Sequence, residues 1–194
     1  MGFVSVLNFA QQLIQKRLQP GEIAIDATVG TGADTLYLAR TVGARGTVYG
    51  FDIQQAALDQ ARARLEKEQE AGTRLAATEL VLRSHSEMAE VLPAEQQGKI
   101  GAVMFNLGYL PGAEDLSVMT VPDSTLPALH AALSLLRPKG ILTAILYPGH
   151  EGGGAEASAV EQWAGELPVT TARVILYRQP QRPDAPYLMA VEKI

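Results

Sequence analysis

The feature that most constrains this chain is its rhythm: short apolar runs, each closed by glycine, proline or an acid, alternate with longer amphipathic stretches. Residues 22–27 form the first such run and pass through a glycine-containing turn into a helical stretch at 34–41, after which 46–52 form a second run. Residues 54–71 carry Ala57, Leu58, Ala61 and Leu65 on one helical face, and Leu80-Val81-Leu82 marks a short third strand at 79–83. A weaker helix at 86–92, a strand at 100–105, a helix at 122–136 that opens on Pro122, a break at 137–140 and a strand at 141–147 continue the pattern. A glycine-rich turn at 149–154 then feeds a helix carrying Val160, Trp163 and Ala164, with Trp163 read as a core or dimer contact and not a base platform. Strands at 170–177 and 187–191 are joined by Gln179-Pro180-Gln181-Arg182-Pro183-Asp184, too short for a crossover helix, so this last pair is expected to be antiparallel. Ahead of the first strand, Phe3, Leu7, Ala10, Leu13 or Ile14, and Leu18 recur at helical spacing until Pro20-Gly21 interrupts them.

Such alternation implies an α/β fold, a mostly parallel sheet covered by helices on both faces, with one reversed strand from the closing hairpin. No repeat, linker or second domain is visible, so 1–194 is expected to form a single domain with the helix of 1–20 packed on it. An apolar fraction of 47% can fill one core, and 21 acidic against 16 basic residues, a formal charge of −5, is too mixed and modest for a disordered chain. The absence of cysteine excludes disulfides, thiolate metal sites and cysteine nucleophiles and suits a reducing compartment. Residues 1–18 lack the basic-then-apolar order of a secretory signal, and no apolar run reaches membrane-spanning length, so the expectation is a cytoplasmic protein with no membrane partner. The acidic balance disfavours a nucleic-acid grip by the whole surface but leaves room for a local one.

In open sheets of this kind, ligands bind beyond the carboxyl ends of the strands, near the point where strand order reverses. The first loop, Asp26-Ala27-Thr28-Val29-Gly30-Thr31-Gly32-Ala33-Asp34-Thr35, has two glycines where backbone can approach a ligand and the amides of a helix N-terminus just after. A dinucleotide fingerprint wants a third small residue where this chain has Thr35, which weakens a pyrophosphate reading. About twenty residues on, Asp52 ends the second strand, where a carboxylate accepts from ribose hydroxyls. Asp26 suits either fixing the glycine loop or meeting a cationic amino group. The plain alternative is that Gly30 and Gly32 only end a strand and Asp52 is one solvated acid among many; the combination of strand, turn, helix and terminal acid favours a nucleoside site.

At this point the chain resembles the class I S-adenosylmethionine-dependent methyltransferases, single Rossmann-like domains whose seven-stranded sheet ends in a reversed hairpin. Three segments narrow the resemblance: Asp26-Ala27-Thr28 with Gly30, Gly32 and Asp34-Thr35; then Asn106-Leu107-Gly108-Tyr109-Leu110-Pro111-Gly112; then Tyr147-Pro148-Gly149-His150-Glu151-Gly152. Together they are similar to a small bacterial family once described as rRNA methylases and now understood as tRNA 5-aminomethyl-2-thiouridine methyltransferases, of the MnmM or YtqB-like kind. The resemblance implies S-adenosyl-L-methionine as cofactor, its methionine part near Asp26, Thr28, Gly30, Thr31, Gly32 and Asp34. Its ribose would lie on Asp52 with Gln54 close by, and its adenine near Ser84 and His85, where an acid is more usual. A bland alternative for His85 is an exposed loop histidine. The implied substrate is tRNA at its anticodon loop, the implied assembly a homodimer, and no metal is required.

Methyl transfer from a sulfonium is an in-line displacement, so most of the work is placing a neutral nucleophile behind the methyl carbon. Asn106 supplies an amide carbonyl that can accept from an amine N–H and aim its lone pair; it also borders the cofactor site. Tyr109 is a candidate stacking surface for a splayed base, and Tyr147 a second substrate contact. An aliphatic amine is mostly protonated near neutral pH, which makes His150, with Glu151 beside it, the candidate base; the alternative is that these two residues cap the next helix or close the loop. Thr120, Pro122, Asp123 and Thr125 read as helix capping. Arg173, Arg178, Arg182 and Lys193 either touch phosphate or are scattered surface charges, the reading favoured because they form no dense run. Two rivals remain: a nucleotide-linked oxidoreductase, which Thr35 counts against, and a non-catalytic RNA-binding module, in which Asn106 would have no chemical duty. Methylation of rRNA or of a small-molecule amine stays open as an alternative substrate.

Overall fold

A computed structural model describes residues 2–108 and 119–194. The elements run α1 (Val6–Arg17), β1 (Ile23–Asp26), α2 (Ala33–Val42), β2 (Thr47–Asp52), α3 (Gln55–Glu70), β3 (Ala77–Leu82), α4 (Met88–Val91), β4 (Ile100–Asn106), α5 (Pro122–Leu135), β5 (Leu136–Leu146), α6 (Gly153–Glu166), β6 (Ala172–Tyr177) and β7 (Tyr187–Lys193). The seven strands form one sheet in the order β3-β2-β1-β4-β5-β7-β6. Pairs from β3 to β5 are parallel, while β7 enters antiparallel between β5 and β6, as the short 179–184 connection requires.

Alternation along the strands explains the two helical layers. Ile25 of β1 and Val103 and Phe105 of β4 point to the layer that holds α4, α5 and α6, whereas Ala24, Ala102 and Met104 point to the layer of α1 and α2. Trp163 belongs to the first of these cores. α1 starts at the Ser5 cap, whose side chain accepts from the Asn8 amide at 3.2 Å, and buries Ala10 and Ile14, with Leu18 just beyond its end. Burying Ile14 and Leu18 stabilises this packing by roughly 1.5–3 kcal/mol each. Tyr37 Oη donates to the Gln11 carbonyl at 2.6 Å and fixes the position of α1 along the domain.

The break expected at 137–140 lies inside a strand. β5 already pairs at Ile100↔Leu136, slips, and resumes at Ala102↔Ile141, with Lys139 at φ 63° in the bulge between. Arg137 holds this bulge by donating to both Glu22 oxygens at 2.6 and 2.9 Å and to the Arg17 carbonyl at 2.9 Å. It occupies the amino-terminal rim of the sheet, leaving the opposite rim for ligands. There β1 leads outward to β2 while β4 leads to β5, and the diverging loops open a crevice.

Candidate active site and cofactor crevice

Asp26 lies wholly buried at the end of β1 and faces inward. Its Oδ1 accepts from the Thr28 amide at 3.1 Å and its Oδ2 from the Thr35 hydroxyl at 2.6 Å, so it fastens the loop to the start of α2. Burial, followed by the charge of Asp34, pushes the Asp26 carboxyl up to about 7, against the opposing pull of those two hydrogen bonds. Thr35, which departs from the dinucleotide pattern, is therefore the anchor that this loop uses.

Gly32 (φ 75°) turns the chain into α2 against α3: a Cβ there would lie 2.5 Å from the Ala61 Cα. Gly30 donates its amide to Asp52 Oδ2 at 2.9 Å, and the Gln54 amide donates to Oδ1 at 2.9 Å. Asp52 thus sits at the mouth of the crevice with its carboxylate held by two loops. Arg64 of α3 donates to the Thr31 carbonyl at 2.9 Å from the outside.

The crevice encloses about 650 Å³, within the range of small-molecule and cofactor sites. Of the residues expected from sequence, Thr28, Gly30, Thr31, Asp34, Asp52, Gln54, Ser84, His85, Asn106, Tyr147 and His150 line it. Asp26 and Gly32 stand behind the wall and shape it. Glu151 is exposed and takes part through its backbone carbonyl, which accepts from the His150 ring at 2.8 Å. Tyr109 lies outside the described residues.

Sequence reasoning missed the wall supplied by α1, where Leu7, Asn8 and Gln11 border the crevice, and the rim formed by Asp184 and Pro186 of the final hairpin. The polar face of α1 was the available signal for the first. Nothing local marks the second, which depends on the 179–186 loop folding back: a Cβ on Gly149 would lie 2.7 Å from the Asp184 carbonyl oxygen.

At the centre, Asn106 Nδ2 donates to Asp34 Oδ2 at 2.6 Å, and Gln11 Nε2 donates to Asp34 Oδ1 at 3.1 Å. The Asn106 amide N–H donates to Thr28 Oγ1 at 2.6 Å. Asn106 Oδ1 is buried and accepts no hydrogen bond among the described residues. His85 is buried, not exposed; its Nδ1 lies 3.2 Å from the Ala27 carbonyl, and its ring meets Phe105 edge-on. A carbonyl only accepts, so Nδ1 carries the proton, and the buried Nε2 has no hydrogen-bond partner among the described residues at the cavity wall. Burial holds the His85 pKa below its ordinary value, partly offset by the Ala27 hydrogen bond. Tyr147 is pushed up by burial and by the Asp34 charge. Two orphaned acceptors, one glycine loop and one terminal carboxylate make a site shaped for a ligand rich in donors, such as an adenosyl group with an amino acid tail.

The loop after β5 folds His150 against the start of α6, where a Cβ on Gly153 would lie 2.8 Å from His150 Nε2 and 2.2 Å from the Tyr147 carbonyl oxygen. Among the basic residues of the hairpin, Lys193 caps the end of α5 by donating to the Ser134 and Leu136 carbonyls at 3.0 and 2.6 Å. Arg178 pairs with Glu161 at 3.3 Å. Among the described residues no helix is long and apolar enough to cross a membrane, and no group of three or more His, Asp or Glu side chains is placed to hold a metal ion.

Comparison with known proteins places this geometry. A chloroplastic tRNA (mnm(5)s(2)U34)-methyltransferase of Arabidopsis thaliana is 38% identical over 195 residues, 94% of this chain and 66% of that protein. This chain therefore spans about two thirds of that relative's length. A crystal structure of a "putative rRNA-methylase" from Clostridium thermocellum superposes with a TM-score of 0.90 at 31% identity, over the full length of both chains. A "putative methyltransferase" from Streptococcus mutans, solved in complex with SAH, gives a TM-score of 0.85 at 31% identity, again covering both chains completely. A family model described as "Putative rRNA methylase" matches residues 48–192, and with these full-length likenesses the chain belongs to that methylase family.

Proposed function

We propose that this protein is an S-adenosyl-L-methionine-dependent tRNA methyltransferase that converts the 5-aminomethyl group of wobble (2-thio)uridine to 5-methylaminomethyl. The observation that carries the reading is the Asn106 amide, locked by Asp34 with its carbonyl oxygen left as an acceptor in the crevice. The substrate is supported by the name of the Arabidopsis relative, and the cofactor by the SAH complex of the Streptococcus protein.

The residues fit the cofactor. Asp52 would accept from the ribose hydroxyls, Thr28, Gly30, Thr31 and Asp34 would hold the methionine part, and Ser84 and His85 would border the adenine, all of them lining the crevice. Asp26 and Gly32 act through the shape of the loop. When bound, S-adenosylmethionine supplies an electrophilic methyl group. Asn106 Oδ1 accepts from the substrate amine and turns its lone pair towards that methyl, the orientation on which an in-line displacement depends. We assign His150, which lines the crevice with its Nδ1–H held by the Glu151 carbonyl, as the group that takes the amine's proton. Tyr147 packs along the substrate at the end of β5, and Tyr109 serves as the stacking surface for the base. His150→Ala then slows the step more at low pH, where a larger fraction of the amine is protonated, than at high pH.

The site asks for no metal, and tRNA enters by its anticodon loop. The protein acts as a single domain in the cytoplasm, a location that fits a chain without cysteine. It pairs as a homodimer along the open edge of β6, where Ile175 and Leu176 are 48% and 43% exposed. Light scattering on the purified protein reads that assembly directly. Ribosomal RNA is the second substrate reading, favoured by the family's description.

Nucleoside mass analysis of tRNA from cells with and without the gene tests the proposal. Accumulation of the unmethylated aminomethyl nucleoside supports it; unchanged wobble nucleosides with altered rRNA would transfer the assignment to ribosomal RNA.

A further inference from the structure

Glu156 is a buried carboxylate, 3% exposed, in the first turn of α6, and its oxygens are engaged by hydroxyl groups. Thr125 Oγ1 of α5 donates to Oε1 at 2.6 Å, and Thr120 Oγ1 donates to Oε2 at 2.8 Å. Thr120 in turn holds Gly108 on both sides: its hydroxyl oxygen accepts from the Gly108 amide at 2.7 Å, and its own amide donates to the Gly108 carbonyl at 2.9 Å. Gly108 has φ 149° and lies two residues beyond Asn106, with the buried Leu107 between them. Packing alone does not call for this arrangement. An apolar side chain of similar size would fill the position without the cost of desolvating a carboxylate, a cost that the helix N-terminus and two hydroxyl donors here offset.

The other end of the relay reaches the second substrate loop. α6 begins at Gly153, against which the His150 ring and the Tyr147 carbonyl are packed. One carboxylate in the first turn of that helix therefore connects the strand end that carries Asn106 with the loop that carries His150. Displacing a reacting group by about 1 Å can lower a rate on the order of a hundredfold, so a tie between the two loops acts on the chemical step.

We infer that Glu156, acting through Thr120, is a positioning residue for methyl transfer: the Gly108–Thr120–Glu156 relay sets the distance between the Asn106 carbonyl and His150. The inference rests on the methyltransferase reading above. Thr120→Val keeps the volume and removes the hydroxyl, so the Gly108 amide loses its acceptor; Thr120→Ser restores one. The expected result is a fall in kcat on the order of ten- to a hundredfold for Thr120→Val. S-adenosylmethionine affinity by calorimetry and KM for tRNA should stay within about threefold, and the Gly108 amide should exchange faster with solvent. Thr120→Ser should recover most of the rate and the protection. Glu156→Gln still accepts from Thr120 through its Oε1 while its amide donates to Thr125, so it too should remain active.

Equal losses in the valine and serine variants would overturn the inference, as would a Thr120→Val enzyme with kcat within about twofold of wild type or one whose cofactor affinity falls in step with its rate. Amide exchange is read without substrate. If wild-type protein fails to methylate the aminomethyl nucleoside, the functional reading fails, and the relay is still decided: equal Gly108 exchange in wild type and Thr120→Val would refute it.

Discussion

Asn106 Nδ2 lies 2.6 Å from Asp34 Oδ2, and because a carboxylate can only accept, the contact decides which end of the Asn106 amide faces the crevice. Gln11 holds the other Asp34 oxygen, so an α1 residue helps to orient a group at the end of β4. Asn106→Ala should lower kcat on the order of a hundredfold while cofactor affinity changes by less than about fivefold. Single-turnover methylation and calorimetry together separate the two. A variant that lost cofactor binding and rate in parallel would move Asn106 from the reaction to the cofactor.

Asp52 is held by the Gly30 and Gln54 amides at 2.9 Å each, and its carboxylate has further acceptor capacity, which the proposed function assigns to the ribose. In Asp52→Asn, one of those amides meets a donor where it had an acceptor. Loss of charge-assisted bonds of about 1.5–3 kcal/mol should weaken S-adenosylmethionine binding by roughly ten- to a hundredfold. Calorimetric titration measures this directly, and unchanged affinity would remove Asp52 from the ribose site.

Gly32 should tolerate no side chain. Alanine there must hold φ near 75° and push its Cβ into Ala61 at 2.5 Å. Left-handed strain and overpacking together predict a destabilisation of about 2–5 kcal/mol, measured by denaturant unfolding, with α2 shifted away from α3.

Asp26 should report on the cofactor without touching it. Its folded pKa of about 7 lies above the ordinary carboxylate value of 3.8, so between those limits the native state holds a proton that the unfolded chain has lost. The Asp26 contribution to stability is therefore full at low pH, falls as pH rises through this window and levels off above about 7. Asp26→Asn should flatten that part of the pH–stability curve. A cationic ligand beside Asp34 and Asp52 favours the ionised carboxyl, so binding near neutral pH should release protons. Calorimetry in buffers of different ionisation enthalpy detects the release; identical heats would show that Asp26 does not feel the ligand.

The sequence by itself determined the strand and helix rhythm, because apolar periodicity and turn residues act over a few positions. The antiparallel closing pair followed from the same local logic, since six residues of turn chemistry cannot cross a sheet. Asp52 and Asn106, which end β2 and β4, and Gly30, in the loop after β1, were legible as candidates because they fall at the rim where parallel sheets bind ligands, and all three line the crevice. The start of β5 at Leu136 was not legible, since Pro138 and Gly140 carry the local signature of a break and only pairing with Ile100 turns it into a bulge. The burial of His85 and the inward turn of Asp26 needed the packed core, as did the contacts that Gln11 and Asp184 make with the crevice. Burial and partnership between residues distant in sequence are properties of where the layers meet, and hydrogen bonds such as Gln11–Asp34 and Thr120–Glu156 exist only once those layers have closed.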